Sequence, residues 1–337
     1  MRQYFGERER AQEKIPKTAL IKILQKYNLG PVKEIKSLCT SGNITYIIDV
    51  RRKKYLLRFS PSGIRWRSKE EILAELEILN YLLKNNFPVP RPIFMRDGQG
   101  VVSWKNHFGY LREFVRARAK LNPKIKEIEK FGQFLGWFHS LIENYETKHK
   151  RKHVWDLEET KKNFEIAKKS ILRSDFKEKE RFTEKFEKEI SKISFPKELS
   201  SGTIHEDLGK RHILWQKDKI VAFIDFDRSY YGKLILDLGQ ACRGWCFTDD
   251  WERWSNNRFR ALIKGYQEKR KLRKIEKDYL VDSISFGILE RSLSFSLRFI
   301  HGGRDFKDEK FAWHSINNLL GEIKDNKKEI KKIIKSA

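Results

Sequence analysis

IHEDLGKRHILWQKDKIVAFIDFDRSYYGKLILDL, residues 204–238, sets Asp207, Asp225 and Asp227 with two histidines around two short apolar runs. The Lys217-Asp218 pair reads as a turn between ILWQ and KIVAFID, so the stretch predicts a strand–turn–strand piece. His205 and Asp207 fall at the end of one strand, His212 at the start of the next, and Asp225 and Asp227 at the end of IVAFID. Strand ends project side chains together, and a hairpin here is expected to bring all five to one mouth. Carboxylates gathered in that way repel one another unless a divalent cation or a transferring proton neutralises them.

Upstream of this stretch the sequence changes period twice. KTALIKILQKYNLG (17–30) carries apolar residues at three- and four-residue intervals and ends in Gly30, which predicts a short helix with a glycine cap. VKEIKSLCTSGNITYIIDVRRKKYLLRF (32–59) is β-rich, with Ile44 to Val50 and Tyr55 to Phe59 predicted as a hairpin around the RRKK turn. SKEEILAELEILNYLLKNN (68–86) opens on a Ser68-x-x-Glu71 capping box and repeats apolar residues at helical spacing. The prolines of FPVPRPIFMRDGQGVVSW (87–104) forbid helix, a DG turn follows, and HFGYLREFV (107–115) reads as another strand. About five strands and one long helix are thus expected before residue 116. From IEKFGQFLGWFHSLIENY (128–145) onward the pattern is helical, interrupted by the 204–238 piece and resuming near Leu234. The expected domains are 1–115, an antiparallel sheet with a helix, and 116–337, a larger helical lobe.

The 337 residues are long enough for such a pair of lobes, and 39% hydrophobic with 13% aromatic content excludes wholesale disorder. No apolar run approaches the roughly 18 residues of a membrane span, and the charged start MRQYFGERERAQEK lacks a signal-peptide core, which predicts a soluble, cytoplasmic protein with no membrane partner. Cys39, Cys242 and Cys246 are too few for a disulfide scaffold and lack zinc-site spacing. The formal net charge of +26 would attract polyanions. Much of it lies in mixed-sign stretches such as residues 162–192, where Glu and Lys recur at helical spacing as solvated faces, so nucleic acid is a secondary, disfavoured partner.

HEDLGKRHIL followed by IDFDRSYYGKLILDL resembles the catalytic and metal-binding segments of the aminoglycoside phosphotransferase-like kinases, whose pattern is H-G-D-x-x-x-x-N and then I-D-F/W with a later Asp-Leu. The likeness extends to residues 19–48, FPVPRPI, FGQFLGWFHS, HVWDLE, DLGQACRGWCF and LIKGYQ, and within that family it is closest to the homoserine kinases. The resemblance implies an α+β, bilobal, protein-kinase-like fold with a small β-rich N-lobe and a larger, mostly helical C-lobe. It implies transfer of the ATP γ-phosphate to the hydroxyl of a small metabolite, with ATP and Mg²⁺ as cofactors and a monomer or homodimer as the working state. Asp207 resembles the catalytic aspartate that orients the acceptor hydroxyl, and Asp225 the Mg²⁺ ligand.

His212 stands where the family has an asparagine as second metal ligand, and imidazole is softer than an amide oxygen. Glu206 replaces the glycine before the aspartate and is expected to resist positive φ. Ser41, Gly42 and Asn43 stand for the phosphate loop, reduced to one glycine in TSGNITY. Arg58 takes the strand position of the phosphate-gripping lysine, with Glu75 as its acidic partner, and the backbone of YLREFV, through Glu113 and Val115, resembles the adenine-binding hinge. His205, Asp227, Asp237 and His139 read as structural supports, with approach to the metal a second reading for Asp227; Trp245 and Phe247 line an acceptor pocket or simply pack. Two other readings stay open: an antibiotic or other small-alcohol kinase, and a non-catalytic relative binding nucleotide or nucleic acid. The latter rests on Glu206, Arg58, His212 and the basic terminal run EIKDNKKEIKKIIKSA.

Overall fold

The computed structural model describes residues 14–38, 43–51, 53–61, 67–151, 154–301 and 305–336. Contacts divide the chain into two units. The first joins Met1–Arg118 to Thr147–Lys152 and Leu214–Asp227; the second comprises Ala119–Glu146, His153–Ile213 and Arg228–Ala337.

The first unit begins with α1 (Lys17–Leu24), β1 (Glu34–Leu38), β2 (Ile44–Val50) and β3 (Lys53–Phe59), continues with α2 (Lys69–Lys84), β4 (Pro92–Ile93), β5 (Val102–Trp104) and β6 (His107–Glu113), and ends near β7 (Arg118–Ala119). The strands form an antiparallel sheet in the order β1-β2-β3-β6-β4, with β5 also paired to β6. Period-two alternation in β2 turns Ile44, Tyr46, Ile48 and Val50 into one apolar cluster with Leu20, Ile23 and Leu24 of α1. Ile48, Leu57 and Phe59 are fully buried there, and each such side chain contributes about 1.5–3 kcal/mol. Val50 pairs with Lys53, so the hairpin is tighter than the four-residue RRKK turn expected from the sequence. Helix α1 stops at Leu24 rather than reaching Gly30, because Lys26 and Tyr27 N–H groups tighten onto the carbonyls of Ile23 and Leu24. Ser68 and Glu71 close the capping box of α2 reciprocally.

Residues 214–227, expected with the helical lobe, cluster with the first unit instead. The strands β9 (Ile213–Gln216) and β10 (Lys219–Phe223) pair with each other, and β9 also with β7. Two contacts explain the placement: the Phe223 amide donates to the Pro88 carbonyl at 2.9 Å, and the Phe87 and Phe223 rings pack edge to face at 5.1 Å.

The second unit is helical: α3 (Ile125–Ile142), α4 (Leu157–Arg173), α5 (Lys179–Ile190), α6 (Leu234–Trp245), α7 (Asn256–Lys269), α8 (Lys274–His301), α9 (Phe306–His314), α10 (Leu320–Asp325) and α11 (Lys327–Ser336). Among the described residues a small sheet pairs β8 (Ser201–Ile204) with β11 (Tyr230–Lys233), a strand not foreseen in the sequence. The expected single hairpin is therefore two pairings: β8 with β11, and β9 with β10. Helices α3 and α7 approach until their backbones touch. A Cβ at Gly132 would meet the Leu262 carbonyl, and one at Gly265 the Glu129 carbonyl. The basic terminal helix α11 buries Ile330, Ile333 and Ile334 and packs on α7 and α8, so its lysines are the solvated side of a core helix. No helix among the described residues is long and apolar enough to cross a membrane.

Candidate active site

In the first unit the candidate side chains Glu75, Asp225 and Asp227 gather around Arg58, which β3 holds in the middle of the sheet. Its guanidinium pairs through Nη2 with Asp225 and, at 2.8 Å, with Asp227 Oδ2. Glu75, the expected partner, is 3.8 Å away and bonded more closely to others: it pairs with Arg67 Nη1 and accepts from the Tyr110 hydroxyl at 2.7 Å. Asn43 closes the network, its amide donating to Asp227 Oδ2 at 3.3 Å and its carbonyl oxygen accepting from Arg67 Nη2 at 3.5 Å. Burial opposes charge on Arg58, but Asp225, Asp227 and Glu75 together hold it well above its usual value. Burial likewise opposes ionisation of Glu75, and Arg67 with Arg58 brings it below the ordinary carboxylate range.

Arg67 and Tyr110 escaped the sequence reading. Tyr110 faces Arg58 across the β3–β6 ladder, a register that only the pairing reveals. Asp225 has φ +75°, a left-handed conformation costing about 1–3 kcal/mol that turns its carboxylate toward the guanidinium. In YLREFV the Glu113 amide donates to the Arg91 carbonyl and the Phe114 amide to the Lys54 carbonyl, so neither N–H is open for a base. The Val115 carbonyl accepts from Ala117. Ser41, Gly42 and Cys39 lie outside the described residues.

In the second unit Asp207 sits on the loop after β8, held at both ends. Asp237, near the start of α6, accepts from the amides of His205 (3.0 Å) and Glu206 (2.7 Å), and lies 3.2 Å from His139 Nε2. His139 Nδ1 meets the Tyr266 hydroxyl at 2.8 Å, and burial pulls the imidazole below its ordinary value, keeping it neutral. His205 Nδ1 accepts from the Asp207 amide at 3.2 Å. Both histidines are fully buried and brace the loop.

Glu206 adopts φ +70°, contrary to the expectation that a side chain there would resist it. Its amide bond to Asp237 and its carboxylate pair with Arg228 hold the strained conformation. Burial pushes the Glu206 carboxyl well above its ordinary value despite Arg228 and Arg291.

Asp207 receives Arg291 Nη2 on Oδ1 at 3.0 Å, with Arg211 Nη2 3.7 Å from Oδ2. Burial would raise its carboxyl, but Arg291 above all holds it well below the usual range, so it is ionised. Arg291 also lies 3.3 Å from Glu290, which in turn pairs with Arg228 at 3.0 Å. Arg228 stacks over the Trp155 ring at 4.1 Å. These arginines were missed; the signal was the charged pair Glu290-Arg291 inside the otherwise apolar helical run FGILERSLSF.

His212 does not present a free ligand atom. Its Nδ1 lies 2.6 Å from the Asp207 carbonyl, which can only accept, and its Nε2 accepts from Arg211 Nε at 3.0 Å. Among the described residues no group of three or more His, Cys, Asp or Glu is arranged to hold a metal ion. The hard carboxylate oxygens of Asp225 and Asp227, neighbours on one guanidinium and partly exposed, still fit a Mg²⁺ completed by phosphates and water. Cys242 and Cys246 are buried free thiols. Trp245 is fully buried, its indole N–H donating to the Leu208 carbonyl at 2.8 Å, and Phe247 is buried against Trp254.

Comparison with known proteins agrees with this architecture. The model of the phosphotransferase enzyme family matches residues 40–274. A homoserine kinase of Zymomonas mobilis is 26% identical over 244 residues, covering 71% of this chain and 73% of the relative. One of Caulobacter vibrioides is 24% identical over 261 residues, covering 76% and 79%. Among solved structures, an amicoumacin kinase in complex with AMP-PNP and Ca²⁺ superposes with a TM-score of 0.68 at 18% identity, covering 95% of this chain and 94% of that one. A microcompartment-associated aminopropanol kinase gives 0.65 at 17% identity, covering 93% and 98%. The fold is therefore the α+β, protein-kinase-like one, with a β-sheet N-terminal region and a helical C-terminal part. With the family model matched across most of its length, the chain belongs to the phosphotransferase enzyme family.

Proposed function

We propose that this phosphotransferase moves the γ-phosphoryl group of ATP to the hydroxyl of a small metabolite, with L-homoserine as the first acceptor to test. The observation that carries the reading is Asp207: an ionised carboxylate on a loop braced by Asp237, His139 and His205. In the proposed reaction the acceptor oxygen attacks the γ-phosphorus, the bond to the β,γ-bridging oxygen breaks, and ADP leaves with that electron pair. Asp207 accepts the hydrogen bond of the hydroxyl, orients its lone pair in line, and takes the proton as the new bond forms.

Arg58 and Asn43, with Ser41 and Gly42, are assigned to the nucleotide phosphates, Glu75 to holding the guanidiniums of Arg58 and Arg67 beside them, and Asp225 with Asp227 to a Mg²⁺ ion. A bound Mg²⁺ would supply charge neutralisation at the β- and γ-oxygens. His212 is assigned to tying its neighbouring loop rather than to a second metal, since both its ring nitrogens are engaged. The Glu113 carbonyl and the Val115 amide are the hinge groups assigned to adenine. The reaction is assigned to the cytoplasm, where ATP is available.

The test is ADP release over a panel of hydroxylated acceptors at saturating MgATP. Acceptor-stimulated release, lost by a factor of about 10³ or more in Asp207→Asn, is the expected result. No stimulation by any acceptor would defeat it.

A further inference from the structure

Four guanidiniums, those of Arg211, Arg228, Arg243 and Arg291, gather around three carboxylates, Glu206, Asp207 and Glu290. Three of the four are accounted for: Arg211 and Arg291 pair with Asp207, and Arg228 with Glu206 and Glu290. Arg243 is left over. Among the described residues it forms no ion pair, and its one hydrogen bond runs from Nε to Gln240 Oε1 at 2.9 Å.

That bond fixes the guanidinium plane. With its oxygen turned to Arg243, Gln240 donates through Nε2 to Glu290 Oε2 at 3.2 Å and to Glu206 Oε1 at 3.4 Å, so the amide orientation is locked. The Trp251 ring lies on the same guanidinium, 5.7 Å from its centroid. The two terminal amino groups of Arg243 remain uncommitted, as a planar fork held ready for a bidentate anion.

The fork is close to the proposed reaction centre. Two residues on along α6, Trp245 bonds the carbonyl of Leu208, the residue after Asp207, and Gly244 packs on Leu208 and Gly209. Burial, and then the like charge of Arg291, push the Arg243 guanidinium down to about 9 against the opposing pull of Asp207, Glu290 and Glu206.

We infer that Arg243 anchors a carboxylate on the acceptor, and that the substrate class is a small hydroxy acid or hydroxy amino acid, not a polycation or an amino alcohol. This rests on the reading of Asp207 as the residue that addresses the acceptor hydroxyl. A polycationic antibiotic or a choline-like alcohol would meet an excess positive charge at this point, whereas an anionic group completes it.

The experiment compares the wild type with Arg243→Gln and Arg243→Lys on L-homoserine and on 3-amino-1-propanol, which keeps the hydroxyl and amine but lacks the carboxylate. The wild type is expected to prefer homoserine. In Arg243→Gln the KM for homoserine rises on the order of 30-fold or more, the KM for ATP stays within about twofold, and the KM for the amino alcohol does not rise, since the substitution removes a repelling charge and no contact with that acceptor. Arg243→Lys recovers part of the loss. An unmoved homoserine KM in a folded variant, an equal loss with both acceptors, a preference for the amino alcohol, or an effect confined to ATP would each overturn the assignment. If the wild type turns over neither acceptor, the kinase reading fails separately, and calorimetric titration of L-homoserine still decides: binding to the wild type and loss in Arg243→Gln support the anchor, while equal or absent binding rejects it.

Discussion

Arg291 on α8 donates to Asp207 Oδ1 at 3.0 Å, across 84 positions of sequence, and so couples the loop after β8 to the longest helix of the chain. Replacing it with methionine keeps much of the volume and removes the charge. Arg291 holds the Asp207 carboxyl down, so its loss must let that value rise, and the acid limb of kcat/KM should move to higher pH. Stability should fall by about 3 kcal/mol, because Asp207 and Glu290 lose a buried partner. A pH–rate profile with a denaturant titration checks both; an unmoved acid limb would detach Arg291 from Asp207.

Arg58 neutralises Asp225 and Asp227, the two carboxylates assigned to the metal. In Arg58→Met they lose the guanidinium they share. The variant should be destabilised by about 3 kcal/mol, and MgCl₂ without nucleotide should raise its Tm by more than it raises that of the wild type. Scanning calorimetry across a Mg²⁺ series is the measurement; equal shifts in the two proteins would argue that the carboxylates do not take the ion.

His139 is buried and neutral, with its imidazole held below its ordinary value by desolvation. The unfolded chain therefore binds a proton that the folded one refuses. Stability contributed by this group is present above about pH 6.5 and is lost as the pH falls below it. The difference between wild-type and His139→Gln unfolding curves should shrink as the pH drops from about 7 to 5. Glu206, raised by burial, acts with the opposite sign in the same window, and it cancels in that difference.

Gly239 lets α6 lie directly on α8: a Cβ there would meet the Ser283 hydroxyl and, at 2.5 Å, its carbonyl oxygen. Gly239→Ala must push apart the helices that carry Asp237 and Arg291. A loss of about 1–3 kcal/mol is expected, together with a drop in activity at temperatures where the protein is still folded. Denaturation with parallel assays would separate the two; full activity in a destabilised variant would show that the loop tolerates the shift.

What the sequence disclosed follows the range of each interaction. The Ser68–Glu71 box and the Ile44–Val50 strand are local signals, and both are realised as read. Asp207, Asp225 and Arg58 are singled out by motif, whereas the pairing of Asp207 with Arg291 and of Arg58 with Asp225 is not. Arg291 lies 84 positions from Asp207, and Arg58 is 167 from Asp225, separations at which periodicity carries no information. Glu75 does pair with Arg58, at 3.8 Å, but Arg67, eight residues upstream, lies closer, and no pattern ranks two arginines by reach. The turn at Glu206 was misjudged because propensity argues against positive φ, while the Asp237 bond and the Arg228 pair override it.

The seam where α3 meets α7 has a practical consequence for engineering. With main-chain carbonyls lying where even a methyl group would have to go at Gly132 and Gly265, the two helices move as one rod. A mutant library aimed at new acceptors would waste its members there. Diversity placed on the Arg243 turn of α6 and on the Trp251 loop would vary recognition while leaving the frame that steadies His139 untouched.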